Sequence, residues 1–66
     1  MEWTIKRDGK KVLIEGQGME ESGAIIEIQN NRRILLYEIP LYGGLPQLSG
    51  VYDNIIEAMN KAESWT

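Results

Sequence analysis

The sequence contains no cysteine and no histidine. Without cysteine there is no disulfide and no thiolate metal site. Without histidine the commonest zinc ligand is missing, and so is the usual general base. Phenylalanine is absent too, so the core must come from aliphatic side chains, Trp and Tyr. No apolar run approaches the ~18 residues needed to cross a bilayer. The N-terminus lacks the apolar segment of a secretory signal, so a cytoplasmic protein with no membrane contact is expected. Basic charge is also in short supply. The net charge of −3 weighs against a general nucleic-acid binder, for which a basic domain is expected.

What is present is one short chain of 66 residues, read as a single domain over 1–66. A chain of this size hides only roughly 60% of the surface its unfolded form exposes. Small domains add disulfides, a metal or a partner chain to so thin a core. With the first closed off and the usual metal ligands missing, self-association is the expected route.

The opening segment alternates as a hairpin. Trp3 and Ile5 are apolar between Thr4 and Lys6, Asp8-Gly9 turns the chain, and Val12 and Ile14 resume the alternation. Asp-Gly suits a two-residue type I′ turn, which predicts Arg7 opposite Lys10, Ile5 opposite Val12 and Trp3 opposite Ile14. Trp3, Ile5, Val12 and Ile14 then share one face, and Thr4, Lys6, Lys11, Leu13 and Glu15 the other. Residues 16–23 are glycine-rich and read as a loop. A second hairpin spans residues 24–39 and turns near Asn30-Asn31, where Asn tolerates left-handed backbone. Two registers remain open: Ile26 with Leu35, or Ile28 with Ile34 and Ile26 with Leu36. Ile34, Leu35, Leu36, Tyr37 and Ile39 nearly form a continuous apolar run, which predicts a strand buried on both sides.

After a turn at residues 42–46, residues 47–52 read as a short fifth strand with Leu48, Gly50 and Tyr52 on one face. A helix starts at Asn54, whose spacing to Glu57 fits a capping box. Ile55, Ala58, Met59, Ala62 and Trp65 form its apolar stripe. The expected fold is therefore α+β: an antiparallel β-meander of four to five strands (two hairpins plus a short fifth strand) with one C-terminal helix packed on one face. One helix covers one face only, so Leu13 and about half of the second hairpin's apolar residues are left over. Such contiguous apolar surface marks an interface. A homo-oligomer, packed sheet to sheet or edge to edge, is the expectation. The alternative is that loop 16–23 or loop 42–46 folds over that face.

Catalytic chemistry finds no footing in these residues. Gly16-Gln17-Gly18 lacks the third glycine of a dinucleotide loop and the Lys-Ser of a P-loop, and Glu20-Glu21 would repel phosphate. Ser22, Ser49 and Ser64 have no histidine to activate them. Glu20-Glu21 lies in a flexible loop with no apolar pocket to raise a carboxyl pKa. Neither enzyme activity nor a cofactor is expected.

The cations are unevenly placed. Lys6, Arg7, Lys10 and Lys11 flank the first hairpin turn, and Arg32 and Arg33 flank the second, leaving only one of the seven elsewhere. In a meander these two turns share one end of the sheet, so a basic end opposes an acidic end carrying Glu20 and Glu21. A basic end attracts phosphate, nucleic acid or an acidic protein surface; exposed hairpin tips are also commonly charged for solubility alone. Tyr42, Gly43, Gly44 and Leu45, an aromatic and an apolar residue on flexible backbone, form a second candidate recognition element.

The stretch Gly50-Val51-Tyr52-Asp53-Asn54-Ile55-Ile56-Glu57-Ala58-Met59-Asn60-Lys61-Ala62 resembles the strand-to-helix junction of ethylene-response-type DNA-binding domains and of phage integrase arm-binding domains. In those families a Gly, an aromatic, a polar cap and a Glu-Ala pair lead into the helix, and Arg and Trp on the sheet contact DNA. The matching face here is poor in Arg, so the resemblance covers packing residues and transfers no DNA contact. The overall size and the ending Ala62-Glu63-Ser64-Trp65-Thr66 are similar to small phage and prophage proteins. Together these features lead to the expectation of a non-enzymatic binding protein of phage or mobile-element type. It would inhibit or sequester a partner, as an anti-defence protein does, the partner being a protein or an anionic small molecule such as a nucleotide trapped in an oligomer. A nucleic-acid-binding adaptor that uses the basic tips is the first alternative, and a small enzyme comes third.

Overall fold

The computed structural model describes residues 1–65. Five strands follow in chain order: β1 (Glu2–Asp8), β2 (Lys11–Gln17), β3 (Gly23–Ile28), β4 (Ile34–Ile39) and β5 (Gln47–Tyr52). Helix α1 (Ile55–Glu63) completes the chain. The strands form one open antiparallel sheet in sequence order, with α1 packed on it. This is the α+β meander that the alternation and the C-terminal helical stripe predict.

Helix α1 lies against β3, β4 and β5. On that face Ile14, Ile26, Ile34 and Leu36 meet Ala58 and Ala62 to form the core. Ile26 and Leu36 are fully buried and pair directly across β3 and β4. Each is worth roughly 1.5–3 kcal/mol for its transfer out of water. Ala58 and Ala62 stand one helical turn apart, so only methyl groups separate the helix backbone from the sheet. Ile55, Met59 and Trp65 pack at the margin. The helix does not reach β1, which leaves Ile5 70% exposed although it shares the covered face. Trp3 compensates at one end, its indole Nε1 donating to Glu63 Oε1 at 2.8 Å.

The first hairpin differs from expectation by two residues. Asp8 pairs with Lys11, Arg7 with Val12, Ile5 with Ile14 and Trp3 with Gly16. The loop is therefore Gly9-Lys10, and Gly9 takes φ +64° while Lys10 stays at negative φ. Positive φ at the first central position alone is the type II′ pattern, with glycine where that turn needs it. The slide also sets Trp3 against Gly16, where a Cβ would stand 2.8 Å from the indole ring. A shift of two preserves the faces, so the predicted division of side chains survives the wrong register.

In the second hairpin the three-residue loop is the one adopted: Ile28 pairs with Ile34 and Ile26 with Leu36. Arg32 N–H donates to Gln29 O and Gln29 N–H to Arg33 O, each at 3.0 Å, and Arg32 sits at φ +66°. This is a type I turn closed by one left-handed residue. The strand expected to be buried on both sides is not. In β4, Ile34 and Leu36 are buried under the helix, but Leu35 and Tyr37 on the other face are only half-buried. Strand β5 carries a further correction. Leu36 pairs with Gly50 but Tyr37 with Leu48, so Ser49 bulges out between them. The extra residue reverses the alternation. Leu48 consequently joins Tyr37 on the open face instead of sharing a face with Gly50 and Tyr52.

Asn54 caps the helix as predicted, with extended backbone and its Oδ1 accepting from Ile56 N–H at 2.7 Å. Glu57 makes no return bond. It stands in the first turn, where negative charge complements the helix dipole. Asn54→Ala should cost about 1 kcal/mol. In a domain this small that lowers the melting midpoint by roughly 4–8 °C, as read by circular dichroism. An unchanged midpoint would place the effective cap at Asp53.

Candidate functional site: the basic end and the open face

The register stacks the β1–β2 and β3–β4 turns at one end of the sheet. Because β2 and β3 are adjacent, the two hairpin tips are separated by two strand spacings, roughly 10 Å. Between them lies a cleft of about 490 Å³ lined by Lys10, Lys11, Gln29, Asn30 and Asn31. Of the expected cations, Lys10 and Lys11, neighbours in the chain, border this cleft. Arg7, Arg32 and Arg33 stand at the same end without lining the cleft, and Asp8 and Asp53 accompany them. Lys6 lies one row further in. It faces Leu13 and forms an ion pair with Glu15 at 2.9 Å on the open face, so it is separate from the cleft.

The cleft's polar groups are unequally committed. Lys11 Nζ is 3.1 Å from Glu27 Oε1. The hydrogen bond and the charge of Glu27 both raise the Lys11 pKa above the ordinary lysine value, so the ammonium is fully charged at neutral pH. Asn31 Oδ1 accepts from Arg33 N–H at 3.1 Å, and Gln29 Nε2 donates weakly to Glu27 at 3.5 Å. Among the described residues Lys10 has no acidic partner and the Asn30 side chain has no hydrogen bond. The carboxamides were not among the expected site residues. Their signal in the sequence is three consecutive amide side chains at one turn, a run that turn propensity alone also explains.

Arg32 occupies the left-handed position where glycine is cheapest. A side chain there costs roughly 1–2 kcal/mol, against roughly 0.5–1 kcal/mol for the freedom a glycine would lose. Arg32→Gly should therefore raise stability by about 0.5–1 kcal/mol, seen as a melting midpoint a few degrees higher. A lower midpoint would mean that the Arg32 side chain makes a stabilising contact.

Tyr42, Gly43, Gly44 and Leu45 lie at the opposite end of the sheet, beside Glu20 and Glu21. Tyr42 N–H donates to Glu20 O, and Glu20, Glu21 and Tyr42 all have positive φ. The two loops therefore brace each other. Tyr42 and Leu45 are 75% and 84% exposed. The structure does not bring these four residues to the basic cleft, so the expected binding residues divide between two ends.

The face away from the helix carries Leu13, Ile25, Leu35, Tyr37, Leu48 and Val51. Leu48 and Val51 are more than half exposed, and the others are half-buried. Both loops reach its rim. Gly18, Glu21 and Ser22 border a hollow with Ile25 and Ile39, and Pro46 borders another with Leu13, Ile25 and Tyr37. Leu35, Leu48 and Val51 stay outside both hollows. The Lys6–Glu15 and Lys11–Glu27 pairs lie on the β1–β3 side of the same face.

Among the described residues no three acidic side chains gather as a metal site would require, and no helix is long and apolar enough to cross a membrane. Comparison with protein families, with curated proteins and with solved structures finds no match.

Proposed function

We propose that this chain is a non-enzymatic binding protein that captures a negatively charged partner at its basic end and works as a homo-oligomer. The observation that carries the reading is the convergence of Lys10 and Lys11 with the second hairpin turn around one cleft. A solvated tip needs only isolated charges; here two turns distant in sequence border a shared cavity. The size and the junction resemblance favour a protein of phage or mobile-element type, acting by sequestration or inhibition in the host cytoplasm.

The layout of the open face supports a second copy there. Leu35, Tyr37, Leu48 and Val51 occupy the β4–β5 side, and on the other Lys6, Glu15, Lys11 and Glu27 surround Leu13 and Ile25. A two-fold axis lying across the strands lays the apolar side of one copy on the apolar side of the other, and a patch carrying both signs of charge can be self-complementary, as an isologous contact requires. A chain this small also gains most from burying it.

Fluorescence anisotropy with a labelled acidic peptide, a labelled single-stranded oligonucleotide and a labelled nucleotide tests the capture. At least one should bind, and the binding should weaken as salt rises. Failure of all three would remove the reading. The nucleic-acid adaptor is the second reading, supported by the basic tips and by the junction. It requires a steep salt dependence with the oligonucleotide, about 0.7 per phosphate contact on logarithmic axes.

A further inference from the structure

We infer that the cleft between the hairpin tips is a site for a small phosphate ester that carries a nucleobase, with the lysines taking the phosphate and the carboxamides taking the base. The inference rests on the reading of the basic end as the binding end and names the ligand that end would take.

Two features of the cleft separate this ligand from other anions. The first is size. An open groove of about 490 Å³ lies within the roughly 300–1,000 Å³ of small-ligand sites. The centres of the two tips stand two strand spacings apart, roughly 10 Å. The second is lining chemistry. An acidic protein surface or a nucleic-acid backbone needs cations alone, and Arg32 and Arg33 would serve it better than Gln29, Asn30 and Asn31. The cleft is bordered instead by two lysines of the first hairpin and by three residues with carboxamide side chains from the second. Each carboxamide presents a donor and an acceptor side by side, which matches the edge of a base, whereas phosphate oxygen would use the donor half alone.

The hydrogen-bond state of each group fits the division. Lys10 is unpaired and is the primary phosphate ligand. Lys11 is shared with Glu27 at 3.1 Å, so it contributes charge at a fixed place. Asn31 spends its oxygen on Arg33 N–H and keeps its NH₂ group. Asn30, whose side chain has no hydrogen bond among the described residues, retains both halves of its amide and is the residue assigned to the base edge. Gln29 is held by Glu27 at 3.5 Å and closes the cleft floor.

Isothermal titration of the purified protein against pyrophosphate, ribose 5-phosphate and the four ribonucleoside monophosphates, at low salt, tests the inference. At least one mononucleotide should bind about tenfold or more tightly than ribose 5-phosphate, the discrimination expected of one amide–base pair. Asn30→Ala should erase that preference and leave pyrophosphate affinity unchanged, whereas Lys10→Ser should weaken every anion together. Equal binding of ribose 5-phosphate and all four nucleotides would overturn base recognition while leaving the basic end an anion site. Binding only of an oligonucleotide or an acidic peptide, with no mononucleotide response, would overturn the inference while the reading of the basic end stands. No response to any anion would overturn both. Both residues are exposed, and an unchanged circular dichroism spectrum for each variant separates a lost contact from a lost fold.

Discussion

Leu36→Glu should leave the domain unfolded at room temperature, while Leu35→Glu should leave it folded and dissociated. The two side chains are neighbours in β4 and point to opposite faces. Leu36 is fully buried against Ile26 and the helix alanines. A carboxylate there has no partner, and an unpaired buried charge costs about 3–5 kcal/mol before the lost packing is counted. A disulfide-free chain of this length has roughly 3–5 kcal/mol of stability in total, so the substitution removes all of it. Leu35 lies on the open face between Glu27 and Val51. Glutamate there opposes Glu27 at a cost of only roughly 0.2–1 kcal/mol, but it places charge in the apolar contact proposed between copies. Sedimentation at tens of micromolar should give a dimer or larger for the parent chain and a monomer for Leu35→Glu. Leu35→Lys, which offers Glu27 an opposite charge, should dissociate the assembly without the local cost. Equal unfolding by both glutamate variants would mean that the open face belongs to the core of the single chain. A monomeric parent would mean that the rim loops cover it sufficiently.

Replacing Lys10, Lys11, Arg32 and Arg33 with Ser should abolish anion binding and preserve the fold. Each lost bond to a charged group removes about 1.5–3 kcal/mol, so two such losses already weaken binding by a hundredfold or more. The stability change should be small by comparison, within about 0.5 kcal/mol for each exposed site. Arg32→Ser retains a side chain at positive φ and brings no relief there. Lys11→Ser also releases Glu27 from its ion pair, so this member is expected to carry most of any destabilisation. The parent protein's binding should fall between low and physiological salt, where charges more than ~8 Å apart are screened. Binding that survives the fourfold replacement would turn attention to Tyr42 and Leu45 at the other end.

Much of this architecture is legible in the sequence because alternation is a strong signal with a period of two. Trp3, Ile5, Val12 and Ile14 fell on one face even under the wrong register, since sliding a pairing by two residues leaves faces unchanged. The register itself depended on a non-local fact, the space over Gly16 that accepts the Trp3 ring. In β5 the alternation misled, because the Ser49 bulge reverses it and bulges leave no mark in a short polar-apolar pattern. The buried character of β4 was overestimated for a related reason. An apolar run is the same whether the second face is covered by the chain itself or left for another copy.

The basic end was legible from topology, since any meander places its first and third turns together. The cleft was not. Gln29, Asn30 and Asn31 look like turn residues, and only the adjacency of β2 and β3 sets them against Lys10 and Lys11. Conversely, Lys6 belonged to the sequence-level cluster by proximity along the chain. Strand alternation turns it to the open face and to Glu15.

The central claim is that the basic end is where the partner is held. Backbone amide spectra of the isotope-labelled protein, recorded during separate titrations with the nucleoside monophosphates, a single-stranded oligonucleotide and an acidic peptide, locate the contact by residue. The account predicts shifts concentrated at Gly9, Lys10 and Lys11 and at residues 29–33, with the amides of residues 42–45 unmoved. Saturating shifts confined to residues 42–45 or to the open face, or a spectrum unchanged throughout, would contradict it.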